Sequence, residues 1–222
     1  MKLRRATLSD DAYGAVRTML LDPTRFAPGS KISVEEMARE LGVSRSPVWS
    51  AISRLEAEGL VRVEPRRGVF RIGFDPDKLR TLFETREALE SFAARLAAER
   101  MTEQEFDETA QHLAAQRAAL KKKNVDDYST ATIAFHEAIT ASARNPMIAR
   151  LLSSIYDQVH AICGGRSAAI GWPGRAANIE DHANLLDRLR RRDADGAEKV
   201  TRQHAQRLAA GVFEAMGAEA SV

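Results

Sequence analysis

The sequence predicts a mainly α-helical chain in two parts, a small N-terminal helix-and-hairpin module and a larger antiparallel six-helix bundle. Three observations predict it. Alanine, the strongest helix former, occurs 7 times in residues 1–75 and 30 times in residues 76–222. The first part holds 13 Lys/Arg against 10 Asp/Glu and the second 20 against 21, so the basic surplus sits in the smaller part. Two short runs rich in β-formers close the first part, whereas beyond residue 77 apolar residues recur at helical spacing. The expected division is 1–74, a linker at 75–78, and 79–222, because Gly73-Phe74-Asp75-Pro76-Asp77 carries turn and helix-start residues.

Composition bounds the rest. The chain has 222 residues, 44% hydrophobic and 29% charged, which suits a globular protein with a real core and argues against disorder. A net charge of +2 does not by itself indicate nucleic-acid binding. The single cysteine, Cys163, excludes an intramolecular disulfide and a cysteine-based zinc finger. No run of ~18 apolar residues predicts a membrane span. The start, Met1-Lys2-Leu3-Arg4-Arg5, leads into Asp10 and Asp11 rather than an apolar stretch, so a signal peptide is not expected and a cytoplasmic location is.

Element by element, residues 9–21 read as a first helix, capped by Thr7 or Ser9, with Ala12, Val16, Met19 and Leu20 on one face. Pro23, Pro28 and Gly29 break the chain. Ser33-Val34-Glu35-Glu36 fits a capping box and opens a short helix to Leu41. Gly42 supplies a turn, and Ser44 caps a helix to about Glu58, with Val48, Ala51, Ile52 and Leu55 as its apolar stripe. Ser46, Ser50 and Ser53 lie opposite, flanked by Arg45 and Trp49. Leu60–Val63 and Val69–Ile72 read as strands around the turn Glu64-Pro65-Arg66-Arg67-Gly68. Two helices across a glycine-containing turn, then a β-hairpin wing tipped with cations, predict a winged helix-turn-helix that touches phosphates or a narrow minor groove.

The stretch Leu41-Gly42-Val43-Ser44-Arg45-Ser46-Pro47-Val48, then Leu55-Glu56-Ala57-Glu58-Gly59-Leu60-Val61, then Arg67-Gly68, resembles the DNA-binding domain of GntR-family transcription regulators. The resemblance implies that Arg39 and Arg45 contact an operator, with Ser44, Ser46, Trp49 and Ser50 on the same helix and Arg66, Arg67 and Gly68 on the wing. The chain departs from the family at Trp49, where an arginine is usual. An indole cannot make the bidentate guanine contact of a guanidinium. It packs instead on sugar or a thymine methyl, or a different base is read there.

In the second part, Leu79, Leu82, Phe83, Leu89, Phe92, Ala93 and Leu96 mark a long helix capped by Asp77. Thr102-Glu103-Gln104-Glu105 is a second capping box, and its helix ends on Lys121-Lys122-Lys123. Further helices are expected at 126–142, from Asn145-Pro146, at 175–191, and from Asp193 to about Met216, with a loop bounded by Gly164-Gly165 and Gly171-Trp172-Pro173-Gly174. His136, His182 and His204 each fall on an apolar helical stripe, where imidazoles from facing helices can hold a metal. His112, Cys163, Trp172 and the lysine run fit a helix surface, a buried small side chain, a loop anchor and a solvated helix end.

Arg86-Glu87-Ala88-Leu89-Glu90, Phe135-His136, His182 with Asp193, and His204 are similar to the FCD effector domain of the FadR-type GntR subfamily. The likeness implies a divalent metal (zinc, nickel or manganese) on His136, His182 and His204, a small carboxylate effector beside it, and Arg86 pairing with that carboxylate. It also implies a homodimer on a near-palindromic double-stranded operator. The family's acidic ligand four residues before the first histidine is Thr132 here, a poor metal ligand that leaves three imidazoles. The chain is thus expected to be a metabolite-responsive, sequence-specific DNA-binding regulator, most often a repressor in this family, and not an enzyme. Two rival readings are a metal-dependent enzyme using the three histidines and a non-switching architectural DNA binder; no HExxH occurs to favour the first.

Overall fold

A computed structural model of the chain describes residues 5–22, 24–163 and 171–217. The expected glycine pair Gly164-Gly165 lies outside the described residues. Helix α1 spans Arg5–Leu21, so Thr7 and Ser9 lie inside it rather than capping it. Helices α2 (Val34–Glu40) and α3 (Arg45–Ala57) follow. The Ser33 side chain accepts from the Glu36 N–H at 3.2 Å, half of the expected box, whereas Ser44 precedes α3 without a side-chain cap bond. Between them Gly42 adopts φ +65, a left-handed conformation that costs a residue with a Cβ about 1–2 kcal/mol. The Val43 N–H then reaches back to the Ala38 carbonyl at 3.0 Å and closes the turn.

The wing has three strands. Strands β2 (Val61–Glu64) and β3 (Gly68–Arg71) pair antiparallel with Val61 opposite Arg71 and Glu64 opposite Gly68. Strand β1 (Lys31–Ile32) adds itself to the other edge of β3, giving the order β1-β3-β2. Two residues are too few to display an alternating pattern, so β1 escapes sequence reading. Gly68 sits at φ +117, and a Cβ there would meet the Lys31 side chain at 2.8 Å.

The second part consists of α4 (Pro76–Arg100), α5 (Glu103–Lys122), α6 (Val125–Ser142), α7 (Pro146–Cys163), α8 (Trp172–Arg190) and α9 (Ala194–Ala215). The expected linker is thus largely the first turn of α4. Its cap is Asp75 rather than Asp77: the Asp75 carboxylate accepts from the N–H groups of Asp77 and Lys78 at 3.1 and 3.0 Å. Thr102 and Glu105 form the full reciprocal box at α5. Asn124, directly after the left-handed Lys123 (φ 52), caps α6 by accepting from Asp126 and Asp127. Asp193 caps α9 as the sequence suggests.

These elements fall into two compact units. The first runs from the N-terminus to Leu79 and takes in α7 from Tyr156 onward; the second holds Arg80–Ile155 and α8 with α9. In the first unit, Val16 and Leu20 of α1 meet Val48, Ile52 and Leu55 of α3, with Ala161 of α7 in the same cluster. The Arg17 Nε donates to Asp157 Oδ2 at 3.0 Å, and the His160 ring stands 2.9 Å from the Leu21 carbonyl. In the second, Ala94 and Ala97 of α4, and Met101 just after it, pack with Phe106, Phe135 and Leu189. Small residues on α4 let neighbouring helices approach closely. Among the described residues no helix is long and apolar enough to cross a membrane.

The caps make a contrasting pair of expectations. Thr102→Ala removes the bond that the Thr102 hydroxyl accepts from the Glu105 N–H and the one it donates to the Glu105 carboxylate, and should lower the urea midpoint by the equivalent of about 1 kcal/mol. Ser44→Ala removes none and should leave the midpoint within about 0.5 kcal/mol of wild type. Equal losses would contradict the assignment.

Candidate functional site

In the first unit the predicted contact residues are on the surface. Arg39 ends α2 exposed, and Ser44, Arg45, Ser46, Trp49 and Ser50 are exposed along α3, with Trp49 retaining 41% of its accessible surface. The opposite stripe of α3, Val48, Ala51, Ile52 and Leu55, is buried, so the apolar side fixes which side faces water. Arg66 and Arg67 are exposed at the wing tip and Gly68 is half-buried behind them. Arg66 adopts φ +65, a left-handed turn position that a non-glycine residue holds at a cost. Two cations already have partners: Arg45 pairs with Glu35 at 3.3 Å, and Glu64 pairs with both Arg67 and Arg62. Exposed pairs of this kind are worth about 0–1 kcal/mol, so a phosphate can displace the carboxylate readily. Sequence reasoning missed Arg62, which points outward from β2.

In the second unit α6, α8 and α9 bring His136, His182 and His204 together. Ring centroids lie 4.9, 5.7 and 4.8 Å apart, and one ring nitrogen from each lies within 4.8 Å of the others. His182 and His204 are 1% and 4% exposed, and the His136 side chain 11%. Phe135 stacks on His182 at 4.6 Å.

Outer partners orient the rings. The Gln116 amide donates to the Ala131 carbonyl at 3.3 Å, which turns its oxygen toward His182 Nδ1 at 2.7 Å. His182 Nδ1 is therefore the N–H, and Nε2 carries the lone pair. That Nε2 is buried without a hydrogen-bond partner. His204 Nδ1 likewise donates to Asp181 Oδ2 at 3.1 Å. His136 Nδ1 lies 3.9 Å from Glu90 Oε1, and Arg86 donates to that same oxygen at 2.9 Å. The Arg86–Glu90 pair, an ordinary helix-surface motif by spacing, is thus buried against the trio, with the residues 8% and 4% exposed. Thr132, one turn before His136, presents a hydroxyl and no carboxylate.

The electrostatics favour neutral rings at His136 and His182. Burial, then Arg86 and His204, push His136 well below the usual imidazole value. Burial, then His136 and His204, do the same for His182. Burial opposes ionisation of Asp181, but bonds from His204 and Arg207 outweigh it and hold its carboxyl down at about 2. Neutral His136 and His182 have the protonation state that metal ligation requires, and the orphaned His182 Nε2 supplies a lone pair with no hydrogen-bond partner. The residues fit a divalent ion.

Sequence reading missed Gln116, Asp181 and Glu90. Gln116 had a signal, a lone polar residue three after Leu113 and four before Leu120 on an apolar stripe. Arg175, 4% exposed on α8, was missed too; its guanidinium lies 5.3 Å from the Tyr128 ring and 4.8 Å from that of Trp172.

Comparison with known proteins matches these two units separately. Residues 8–70 match the family described as "Bacterial regulatory proteins, gntR family", and residues 81–207 match the "FCD domain". The chain belongs to the GntR family. It is a DNA-binding transcriptional regulator with an FCD effector-binding domain. It is 27% identical over 187 residues to the "HTH-type transcriptional repressor RspR" of Escherichia coli (strain K12), covering 84% of this chain and 81% of that one. It is 26% identical over 200 residues to the "Galactonate operon transcriptional repressor" of the same strain, covering 79% and 84%. Among solved structures, "E. coli McbR/YncC" superposes with a TM-score of 0.81 at 21% identity over 93% of this chain and 97% of that one. A GntR regulator from Rhodococcus sp. RHA1 gives 0.71 at 21%, over 95% and 98%. These two share the fold.

Neutral burial predicts an acid sensitivity. A histidine whose folded value is depressed binds its proton more tightly when unfolded, so its contribution to stability is present above about pH 6.5 and is lost as pH falls from there. Chelator-treated protein should therefore melt progressively lower between pH 7.5 and 5.5, and His182→Gln should flatten that slope. An unchanged slope in His182→Gln would show the ring to be protonated or exposed.

Proposed function

We propose that this GntR regulator grips a near-palindromic operator as a homodimer, represses there, and releases when a small carboxylate binds beside a divalent metal on His136, His182 and His204. The observation that carries the sensing half is the buried trio with its outer partners Gln116 and Asp181. Three imidazoles suit zinc or nickel, and manganese less well. When bound, the metal supplies positive charge that draws in a carboxylate. Thr132 adds no ligand, so three protein nitrogens would hold the ion and leave it an open position. Arg86, oriented by Glu90, would add a charge-assisted donor fork. A carboxylate agrees with the galactonate in the name of one relative, the galactonate operon repressor. Two relatives named as repressors support the sign of regulation.

For DNA, Arg39, Ser44, Arg45, Ser46, Trp49 and Ser50 would face the major groove and Arg66, Arg67 and Gly68 the phosphates or minor groove. Exposed Phe92, Ile133, Met147 and Leu151 on the second unit support a second copy, since exposed apolar side chains are covered at interfaces. Release requires the carboxylate to bind the DNA-incompetent arrangement more tightly than the competent one. The trio reads as a sensor rather than a hydrolytic centre. Its neighbouring carboxylates are already engaged, Glu90 by Arg86 and Asp181 by His204 and Arg207, and neither is poised as a general base.

Three measurements test this. Gel retardation of the upstream promoter fragment should weaken on adding one of a panel of small carboxylates; indifference to all of them removes the sensing claim. Arg45→Ala should weaken operator binding and reduce the salt slope by about 1. Gln116→Leu, which frees His182 to rotate, should lower zinc affinity by about 10–100-fold in chelator competition. Unchanged affinity would place the metal elsewhere.

A further inference from the structure

We propose that Trp49 reads a thymine through its 5-methyl group, making it a specificity-determining residue of the operator contact. The inference rests on the reading that α3 enters the major groove. Trp49 keeps 41% of its surface in solvent, on the flank of α3 between the buried stripe of Val48, Ile52 and Leu55 and the serine face opposite it. Arg45, one turn before, shares that flank, and Ser46, Ser50 and Ser53 lie on the serine side of it. The serines are small, so they leave the outer part of the indole uncovered beside the Arg45 guanidinium, where both can reach the same groove.

The chemistry of that meeting is narrow. An indole offers one N–H donor and no acceptor, so it cannot form the paired bonds that arginine makes with guanine or asparagine with adenine. What it offers in quantity is apolar surface. Of the groups that base pairs present in the major groove, the thymine 5-methyl is the apolar one. Covering it dehydrates the methyl and the ring together, whereas any other base edge would lose water from a polar atom without replacement. The deoxyribose is the competing apolar surface, but it is identical at every nucleotide and would confer no sequence preference.

The test uses full-length protein to select duplexes from a random library, then replaces each thymine of a selected duplex by uracil, which removes the methyl and nothing else. Binding is measured at low salt so that weakened variants stay measurable. Wild type should lose about fourfold at one thymine per half-site, the fold-change that one buried methyl is worth. Trp49→Phe should keep that sensitivity and Trp49→Ala should lose it, both melting as wild type does because the position is exposed. Wild-type indifference to every replacement, or equal sensitivity in Trp49→Ala, overturns the proposal. Failure to select any duplex would instead overturn the major-groove reading, and this inference with it.

Discussion

A helical core can hold three imidazoles only if every ring nitrogen has something to do. Each buried ring brings one donor and one acceptor, and an idle polar group in a packed interior costs about 1–3 kcal/mol. The second unit answers by giving its Nδ1 atoms outer companions, Gln116 for His182 and Asp181 for His204, with Glu90 beside His136. The arrangement leaves His182 Nε2 unmatched. That unmatched lone pair is what the proposed metal would meet. The packing of α5, α6, α8 and α9 around it, and the burial of the Arg86–Glu90 pair, follow from the same requirement.

Much of this was legible in the sequence, for identifiable reasons. Val48, Ile52 and Leu55 set the buried side of α3, and Thr102 with Glu105 announced α5, because period and cap chemistry are local. The three histidines were legible because each interrupts an apolar stripe. Their companions were not. Asp181 reads as a surface acid until α9 brings His204 against it, and the role of Gln116 depends on a carbonyl fifteen residues away. The end of α7 gave no sign that Asp157 and Ala161 would join the first unit, since an amphipathic stripe says that a face is covered and not by what. Asp75 and Asp77 are equivalent by composition, and only the chain's entry angle chose the former as cap.

The two units also differ in how they treat charge. In the first, carboxylates shadow the exposed arginines: Glu35 beside Arg45, and Glu64 between Arg62 and Arg67. These contacts are solvated and weak, so they hold the cations in place without competing seriously with a polyanion. In the second, Arg86 and Glu90 are shut away from water, where breaking a pair is expensive because one charge is stranded. The carboxylate proposed to pair with Arg86 would have to share the guanidinium with Glu90 or displace it. This favours ligands with more than one oxygen to offer.

Consecutive positions on α8 serve two different rings: residue 181 steers one imidazole through its carboxylate, and residue 182 is itself another. Rotation of that helix about its axis, even by a small angle, would disturb both at once, since both side chains ride on the same helix about 100° apart. The centre is accordingly a gauge of helix azimuth. Occupancy would lock α8 at one angle, and a change of angle would evict the occupant, a reciprocity that ties what is held inside the bundle to how its helices are turned.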